Sequence, residues 1–178
     1  MTSESIEASA KEVEGRVEVL REAATMVLYV SVVEIAEFAA LPEGHFAHAR
    51  VTGPVGRQLL AILWGTAVGL AIAHWFAFRI AAPGFRGESP TGRDVRIGVV
   101  QLGGAVFVAA VSSLPVLFFS DVRAQETVGD VPAVIIGVIG YFVARASGKS
   151  RVPAAFYGLT ALALGVVVAL VKSMLAAH

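Results

Sequence analysis

The chain has 178 residues, of which 56% are hydrophobic and only 16% are charged, and its mean hydropathy is +0.74. Soluble domains carry about 25% charged residues, so this composition excludes an ordinary water-soluble globule. The 14 basic and 14 acidic residues cancel, which leaves no net positive charge to attract nucleic acid. We therefore expect a membrane-embedded domain that contacts the lipid bilayer and binds no nucleic acid.

Several kinds of chemistry are excluded by residues and motifs that the sequence lacks. Without cysteine there is no disulfide framework, thiolate zinc site or iron–sulfur cluster. The phosphate-binding loop GxxxxGK[ST], the zinc protease motif HExxH and the hydrolase motif GxSxG are also missing. We therefore expect no enzymatic activity and no cofactor.

Five segments approach the length of about 20 apolar residues that a helix needs to cross a bilayer. They are 23–41, 59–78, 97–119, 131–144 and 154–171. The fourth is short, and at that length a re-entrant or buried helix competes with a full span. We favour a span because the connection 145–153 is short and basic. The prediction is an all-α bundle of five transmembrane helices that occupies residues 23–178.

Basic residues in the connections predict the orientation, because Lys and Arg favour the cytoplasmic side. With the N-terminus inside, all but four basic residues fall on the cytoplasmic side. The four exceptions are Arg50, Arg57, Arg123 and Lys172. The sequence therefore predicts a multi-pass protein of the plasma or inner membrane, N-in and C-out. Four spans instead of five would return the C-terminus to the cytoplasm.

Residues 1–22 have the pattern of an amphipathic helix, with apolar positions at alternating spacings of four and three. These positions are Ile6, Ala10, Val13, Val17, Leu20 and, just beyond, Ala24. The basic start and short apolar core of a secretory signal peptide are missing. We expect a cytoplasmic helical extension of the first span that packs on a neighbour. A self-associating coiled coil is the alternative.

Ionisable groups inside apolar spans are costly, and they usually face the interior of a bundle or a water-filled cavity. Glu34 and Glu37 share one face of the first span, with Ser31 three residues earlier. Counting along the predicted spans places two polar layers, an outer one around the two glutamates and an inner one around His74. The candidate polar residues are Glu34, Glu37, His74, Gln101, Ser112, Ser113 and Tyr141.

These residues permit two interpretations. In the first, they line a path for protons or small cations, because burial disfavours the charged form of a carboxyl group and histidine titrates near neutral pH. Glu34, Glu37 and His74 are then the working groups of a relay. In the second, the glutamates pair with each other or bond Ser and Tyr hydroxyl groups and only fix helix packing, while His74 reaches water.

Two further motifs each permit a specific functional interpretation and a simpler structural one. His45 and His48 form an HxxH spacing near Glu43 that could hold a divalent transition metal, although surface histidines are the simpler interpretation. Gly65 and Gly69 form a GxxxG pattern, which permits close helix approach in lipid. That approach serves packing inside the bundle or association with a second copy or another membrane protein. We also expect Pro115 to kink its helix.

Segments such as LREAATMVLYVSVVEIAEFAALPEGH and WGTAVGLAIAHWFAFR, rich in Ala, Val and Gly and with Arg favoured over Lys, resemble uncharacterised small multi-pass membrane proteins of high-GC actinobacteria. The resemblance covers the first three spans and implies no function. Two hypotheses remain: a channel or proton-linked carrier that uses intramembrane carboxylates, or a non-transporting accessory, sensor or scaffold subunit that binds other membrane proteins.

Overall fold

The structure is a computed structural model that describes residues 3–39, 53–86 and 92–176. Within these ranges the chain forms helices joined by short turns, with no β-strand, so the predicted all-α class is confirmed. The helices are α1 (Ser3–Phe38), α2 (Arg57–Arg86), α3 (Gly92–Ser112), α4 (Leu114–Phe118), α5 (Asp121–Thr127), α6 (Asp130–Ala146) and α7 (Arg151–Ala176).

Four stretches among the described residues are long and apolar enough to cross a membrane. They are Arg57–Ala77, Asp94–Phe118, Arg123–Ala146 and Arg151–Val168, and they correspond to the second to fifth predicted segments. The stretch Arg123–Ala146, which contains the fourth predicted segment 131–144, reaches 24 residues. It is longer than predicted because α5 and the start of α6 extend the short apolar run on its N-terminal side. Helix α1 is not among the four, since Glu22, Glu34 and Glu37 lower the hydropathy of its described part.

Helix α1 contacts each of the other four long helices of the bundle. It is one uninterrupted helix of 36 residues, about 54 Å long at 1.5 Å per residue, with no break between residues 22 and 23. Its C-terminal half packs against α2, α3, α6 and α7, and residues from Met26 to Ala36 supply much of the buried core. Its N-terminal half is mostly exposed, although Glu18 and Val19 line a cavity together with Arg96 and Ile97 at the start of α3. The helix with the most acidic apolar segment is therefore the one that contacts all four of the other long helices.

The other long helices expose large apolar side chains on their outer faces. Phe76 of α2, Phe142 of α6 and Phe156 of α7 are each more than half exposed. Soluble monomeric proteins rarely expose an apolar surface of this extent. It is the surface expected of helices surrounded by lipid.

The kink predicted at Pro115 is confirmed as a break between two helices. Helix α3 ends at Ser112 and α4 begins at Leu114. Proline has no backbone N–H and cannot continue the i to i−4 ladder. The N–H groups of Val116 and Leu117 instead both bond the carbonyl of Ser113, at 3.1 and 3.3 Å.

Helices α6 and α7 meet through glycine. A Cβ atom placed on Gly158 would lie 2.6 Å from the carbonyl oxygen of Gly137, and one on Gly140 would lie 3.2 Å from the Cα of Gly158. The turn between the helices contains Gly148 at φ +83°, a conformation that favours glycine. By contrast, a Cβ on Gly65 or Gly69 would meet nothing within 4 Å. The predicted GxxxG motif therefore makes no close helix contact within the described chain.

Candidate functional site

Glu34 is the most deeply buried ionisable side chain among the described residues, with no exposed surface. It lies on α1, and the Ser112 hydroxyl at the end of α3 donates a hydrogen bond of 2.8 Å to its Oε2 atom. Within the described part of the chain, its second oxygen, Oε1, has no hydrogen-bond partner, and neither does the buried hydroxyl of Ser31 one turn earlier. The predicted juxtaposition of Glu34 with Ser112 is therefore present.

Glu37 faces a different helix from Glu34. It is half-buried, and its Oε2 atom accepts a hydrogen bond of 2.5 Å from the Thr66 hydroxyl on α2. The two carboxyl groups thus have separate partners. Thr66 was not among the predicted site residues, because a threonine in an apolar span carries no signal until the helix opposite is known.

Ser113 lies at the helix break but does not bond either carboxyl group. Its hydroxyl donates to the carbonyl of Ala109 at 2.7 Å and accepts from the indole N–H of Trp64 at 3.2 Å. The side-chain bonds around Glu34 therefore connect α1 with α3, α1 with α2, and α2 with α3. We call this group the Glu34 cluster, and it comprises Glu34, Glu37, Trp64, Thr66, Ser112 and Ser113.

His74 belongs to a second group, the His74 cluster, formed with Gln101 and Glu22. The amide Nε2 of Gln101 donates to Glu22 at 3.1 Å and lies 3.2 Å from His74 Nε2. Gln101 is buried and Glu22 is half-buried, whereas His74 is exposed.

Glu22 was missed by the sequence analysis, although a signal was present. Residues spaced by four lie on one helix face, and the series from Glu34 through Val30 and Met26 leads to Glu22. Both intermediate residues are buried. The row of side chains that runs from Glu34 towards the N-terminus in steps of four therefore ends at a second carboxyl group, with each step turning slightly around the helix.

An apolar core separates the two clusters. Glu22 and Glu34 lie twelve positions apart on α1, which corresponds to about 18 Å. The space between them is filled by buried residues of three helices: Met26, Val27, Val30, Ala67, Ala71, Ala105, Val108 and Ala109. The structure therefore does not bring Glu34 and Glu37 together with His74, and the predicted relay is interrupted by an apolar barrier.

Tyr141 lies away from both clusters. Its Cβ atom is 3.3 Å from the position that a Cβ on Gly158 would take, so it belongs to the contact between α6 and α7. Its ring packs edge-on against Phe142 at 5.5 Å. None of the hydrogen bonds described here joins it to a carboxyl group of α1.

The predicted metal-binding histidines, His45 and His48, lie outside the described residues. Within the described ranges, no group of three or more His, Cys, Asp or Glu side chains is placed to hold a metal ion.

No family model, curated protein or solved structure matches this chain.

Proposed function

We propose that the protein is a carrier of protons or small cations in the cell membrane, built from five spans with the N-terminus inside, and that Glu34 is its working carboxyl group. Helix α1 is assigned as a span in addition to the four other long helices, because α2, α3, α6 and α7 all pack against it. Contact with four neighbours that are long and apolar enough to cross a bilayer supports a position of α1 at the same depth.

The observation that carries the proposal is the burial of Glu34 with one oxygen bonded and the other free. A carboxyl group in a low-dielectric interior is expensive, and packing alone is served better by an apolar side chain. Ionisable residues at such depth mark ion and proton pathways more often than structural contacts. The partly satisfied carboxyl group supports exchange of a proton or ion at Glu34.

The apolar core between the two clusters favours a carrier over an open channel. A pore would need a continuous polar lining, whereas Val30 and Val108 are completely buried between the clusters. A carrier instead exposes its site to one side at a time. The Glu34 cluster and the His74 cluster are then the two ends of a route that opens alternately.

Flux in liposomes tests this proposal. Purified protein is reconstituted, a pH gradient is imposed, and proton entry is followed with a dye trapped inside. We expect wild-type protein to dissipate the gradient and Glu34→Gln to slow the flux at least tenfold, which corresponds to about 1.4 kcal/mol in barrier height. Adding Glu37→Gln should abolish the remaining flux.

Glu14→Gln is the matched control, because Glu14 is an exposed acid on the N-terminal half of the same helix. Its flux should equal that of wild type. The glutamine in Glu34→Gln keeps an oxygen that can accept from Ser112, so circular dichroism and size exclusion should show a folded protein. A wild type without flux, or a double variant with full flux, contradicts the proposal.

A second candidate function is that of a non-transporting accessory subunit, and the exposed seam of α1 favours it. Val13, Val17 and Leu20 are 58%, 60% and 69% exposed on the N-terminal half of the helix. Apolar side chains aligned on such a helix are typical of a surface that binds another helix. Another membrane protein or a second copy of the chain is the proposed partner.

A photocrosslinking residue at position 17 in native membranes tests this alternative, with position 12 as the control. Glu12 lies on a different side of the helix from the seam and pairs with Arg16. An accessory subunit should give one discrete adduct from position 17 only, and Val13→Ser should remove it. A chain that remains monomeric and without adduct contradicts this function.

A further inference from the structure

Two buried oxygen atoms on α1 have no hydrogen-bond partner among the described residues: the Ser31 hydroxyl and Oε1 of Glu34. Both side chains have zero exposed surface. They are three positions apart and therefore share one helix face, yet they do not bond each other. Buried polar atoms in folded proteins are almost always paired, and an exception calls for a specific explanation.

A third oxygen completes the group from the opposite helix. The Ser112 hydroxyl is also fully buried and bonds the other carboxyl oxygen of Glu34 at 2.8 Å. Ser112 is the last residue of α3, and Pro115 cannot donate to the carbonyl of Val111. Helices interrupted at membrane depth supply such oxygen atoms to cations in transport proteins. The break therefore lies beside the carboxyl group.

Among the residues with described side chains, no Lys or Arg forms an ion pair with Glu34. The described Lys and Arg side chains with an assigned exposure are exposed, except Lys149, which is half-buried and lies over the Tyr157 ring. The described part of α3 that packs on α1 contributes no ionisable residue after Arg96. The nearest acid on α1, Glu37, is engaged by Thr66 of α2, and His74 lies beyond the apolar core. No side chain that the structure describes supplies a positive charge to an ionised Glu34, so a proton or a bound cation would neutralise it.

We propose that Ser31, Glu34 and Ser112 form a binding site for one monovalent cation, and that Na⁺ is the ion. One carboxylate balances one positive charge, and hydroxyl and carboxylate oxygens are ligands for hard cations. A transition metal would need more His, Cys or carboxylate ligands than the described residues bring together. This inference rests on the proposed carrier function and names its coupling ion.

Equilibrium binding of radioactive ²²Na⁺ to the purified full-length protein in detergent tests the site. Wild type should show saturable binding with one ion per chain, displaced by unlabelled Na⁺ and Li⁺ and poorly by K⁺. Glu34→Gln should abolish the binding. Ser31→Ala and Ser112→Ala should each weaken it about tenfold, which is equivalent to about 1.4 kcal/mol of binding free energy.

Ser147→Ala is the matched control, because the Ser147 hydroxyl bonds the carbonyl of Ala144 at 2.8 Å. Ser147 lies at the C-terminal end of α6 and forms no hydrogen bond with any of the three proposed ligands. This variant should bind Na⁺ as wild type does. Glu34→Gln removes the charge itself and can therefore also change the stability of the protein. The two serine variants keep that charge, so they test the site even if Glu34→Gln is unstable. Circular dichroism checks that they are folded.

The results separate this inference from the proposed function. Wild type without saturable ²²Na⁺ binding overturns the sodium site, as does binding that Ser31→Ala and Ser112→Ala leave unchanged. Proton flux in sodium-free buffer from a protein that binds no Na⁺ overturns the site and retains the carrier. Specific Na⁺ binding without any flux supports the site and contradicts the carrier.

Discussion

The two sides of the bundle are held together by different interactions. Helices α1, α2 and α3 are connected by side-chain hydrogen bonds, from Ser112 to Glu34 and from Thr66 to Glu37 at one end, and through Gln101 at the other. Gly104 also brings α3 close to α1, since a Cβ there would lie 3.2 Å from the carbonyl oxygen of Ala23. Helices α6 and α7 approach still more closely through glycines, so that a Cβ on Gly158 would lie 2.6 Å from the carbonyl oxygen of Gly137. Among the described residues, no side-chain hydrogen bond joins α6 to α7.

The difference shows what each side is suited to. In lipid, helix association depends on close packing and on interhelical hydrogen bonds rather than on the hydrophobic effect. Glycine contacts bring backbones together and leave little room for rearrangement. Polar contacts between side chains can be exchanged for contacts with water or an ion. The α6–α7 side is therefore the structural support, and the α1–α3 side carries the groups that can change partners.

The largest effect on stability is expected from Gly158→Ala. The added methyl group would lie 2.6 Å from a backbone oxygen of the facing helix, and overpacking of this kind costs about 1–3 kcal/mol. Unfolding by increasing SDS in mixed micelles measures the change. The matched control is Gly65→Ala, which meets nothing within 4 Å and should leave the transition unchanged or slightly raised. Equal losses in both variants would contradict the assigned difference between the two glycines.

A smaller effect is expected from Thr66→Val, which removes the hydroxyl that donates to Glu37. Hydrogen bonds between membrane helices contribute about 0.6–2 kcal/mol, and valine conserves the shape of the side chain. The control is Thr160→Val, because the Thr160 hydroxyl bonds only the carbonyl of Phe156 in its own helix. The same SDS titration should show a lower midpoint for Thr66→Val than for the control. A reversed order would show that the bond to Glu37 adds no stability.

The smallest effect is expected from Lys11→Ala in the exposed half of α1, outside both sides of the bundle. The bond from Lys11 to Glu7 spans 2.9 Å on the helix surface, and such a pair contributes about 0.2–0.5 kcal/mol. Far-ultraviolet circular dichroism at low and high salt should show a slight, salt-sensitive loss of helix. A loss as large as that of Gly158→Ala would mean that this helix half packs on the bundle.

The helical architecture was largely readable from the chain, because apolar length and periodicity are local properties. The second to fifth segments were recognised and correspond to stretches long enough to cross a membrane, and Pro115 marked the break after α3. The length of the fourth predicted segment, 131–144, was underestimated. The polar residues of α5 end the apolar run in the sequence, whereas the helical stretch continues through them from Arg123 to Ala146. Whether α1 is a fifth span remains a prediction.

The site was readable only in part. Glu34 stood out because a carboxyl group in an apolar segment is costly wherever that segment packs. Its partner Ser112 was among the candidates, whereas Thr66 and Glu22 were not. Ser113 lies in the Glu34 cluster but bonds Ala109 and Trp64 rather than a carboxyl group, and Tyr141, a candidate polar residue, contacts the α7 helix instead. Depth along a helix can be counted from sequence, but the rotation of one helix against another cannot.

The sequence by itself determined a low charge content, the apolar segments and the presence of two carboxyl groups within one of them, because these follow from residue type and spacing. Only the tertiary structure decided that α1 contacts all four of the other long helices, that Glu34 and Glu37 face different helices, and that an apolar core separates them from His74. The physical reason is that burial and hydrogen bonding depend on which helix faces are opposed, and these faces belong to residues distant along the chain.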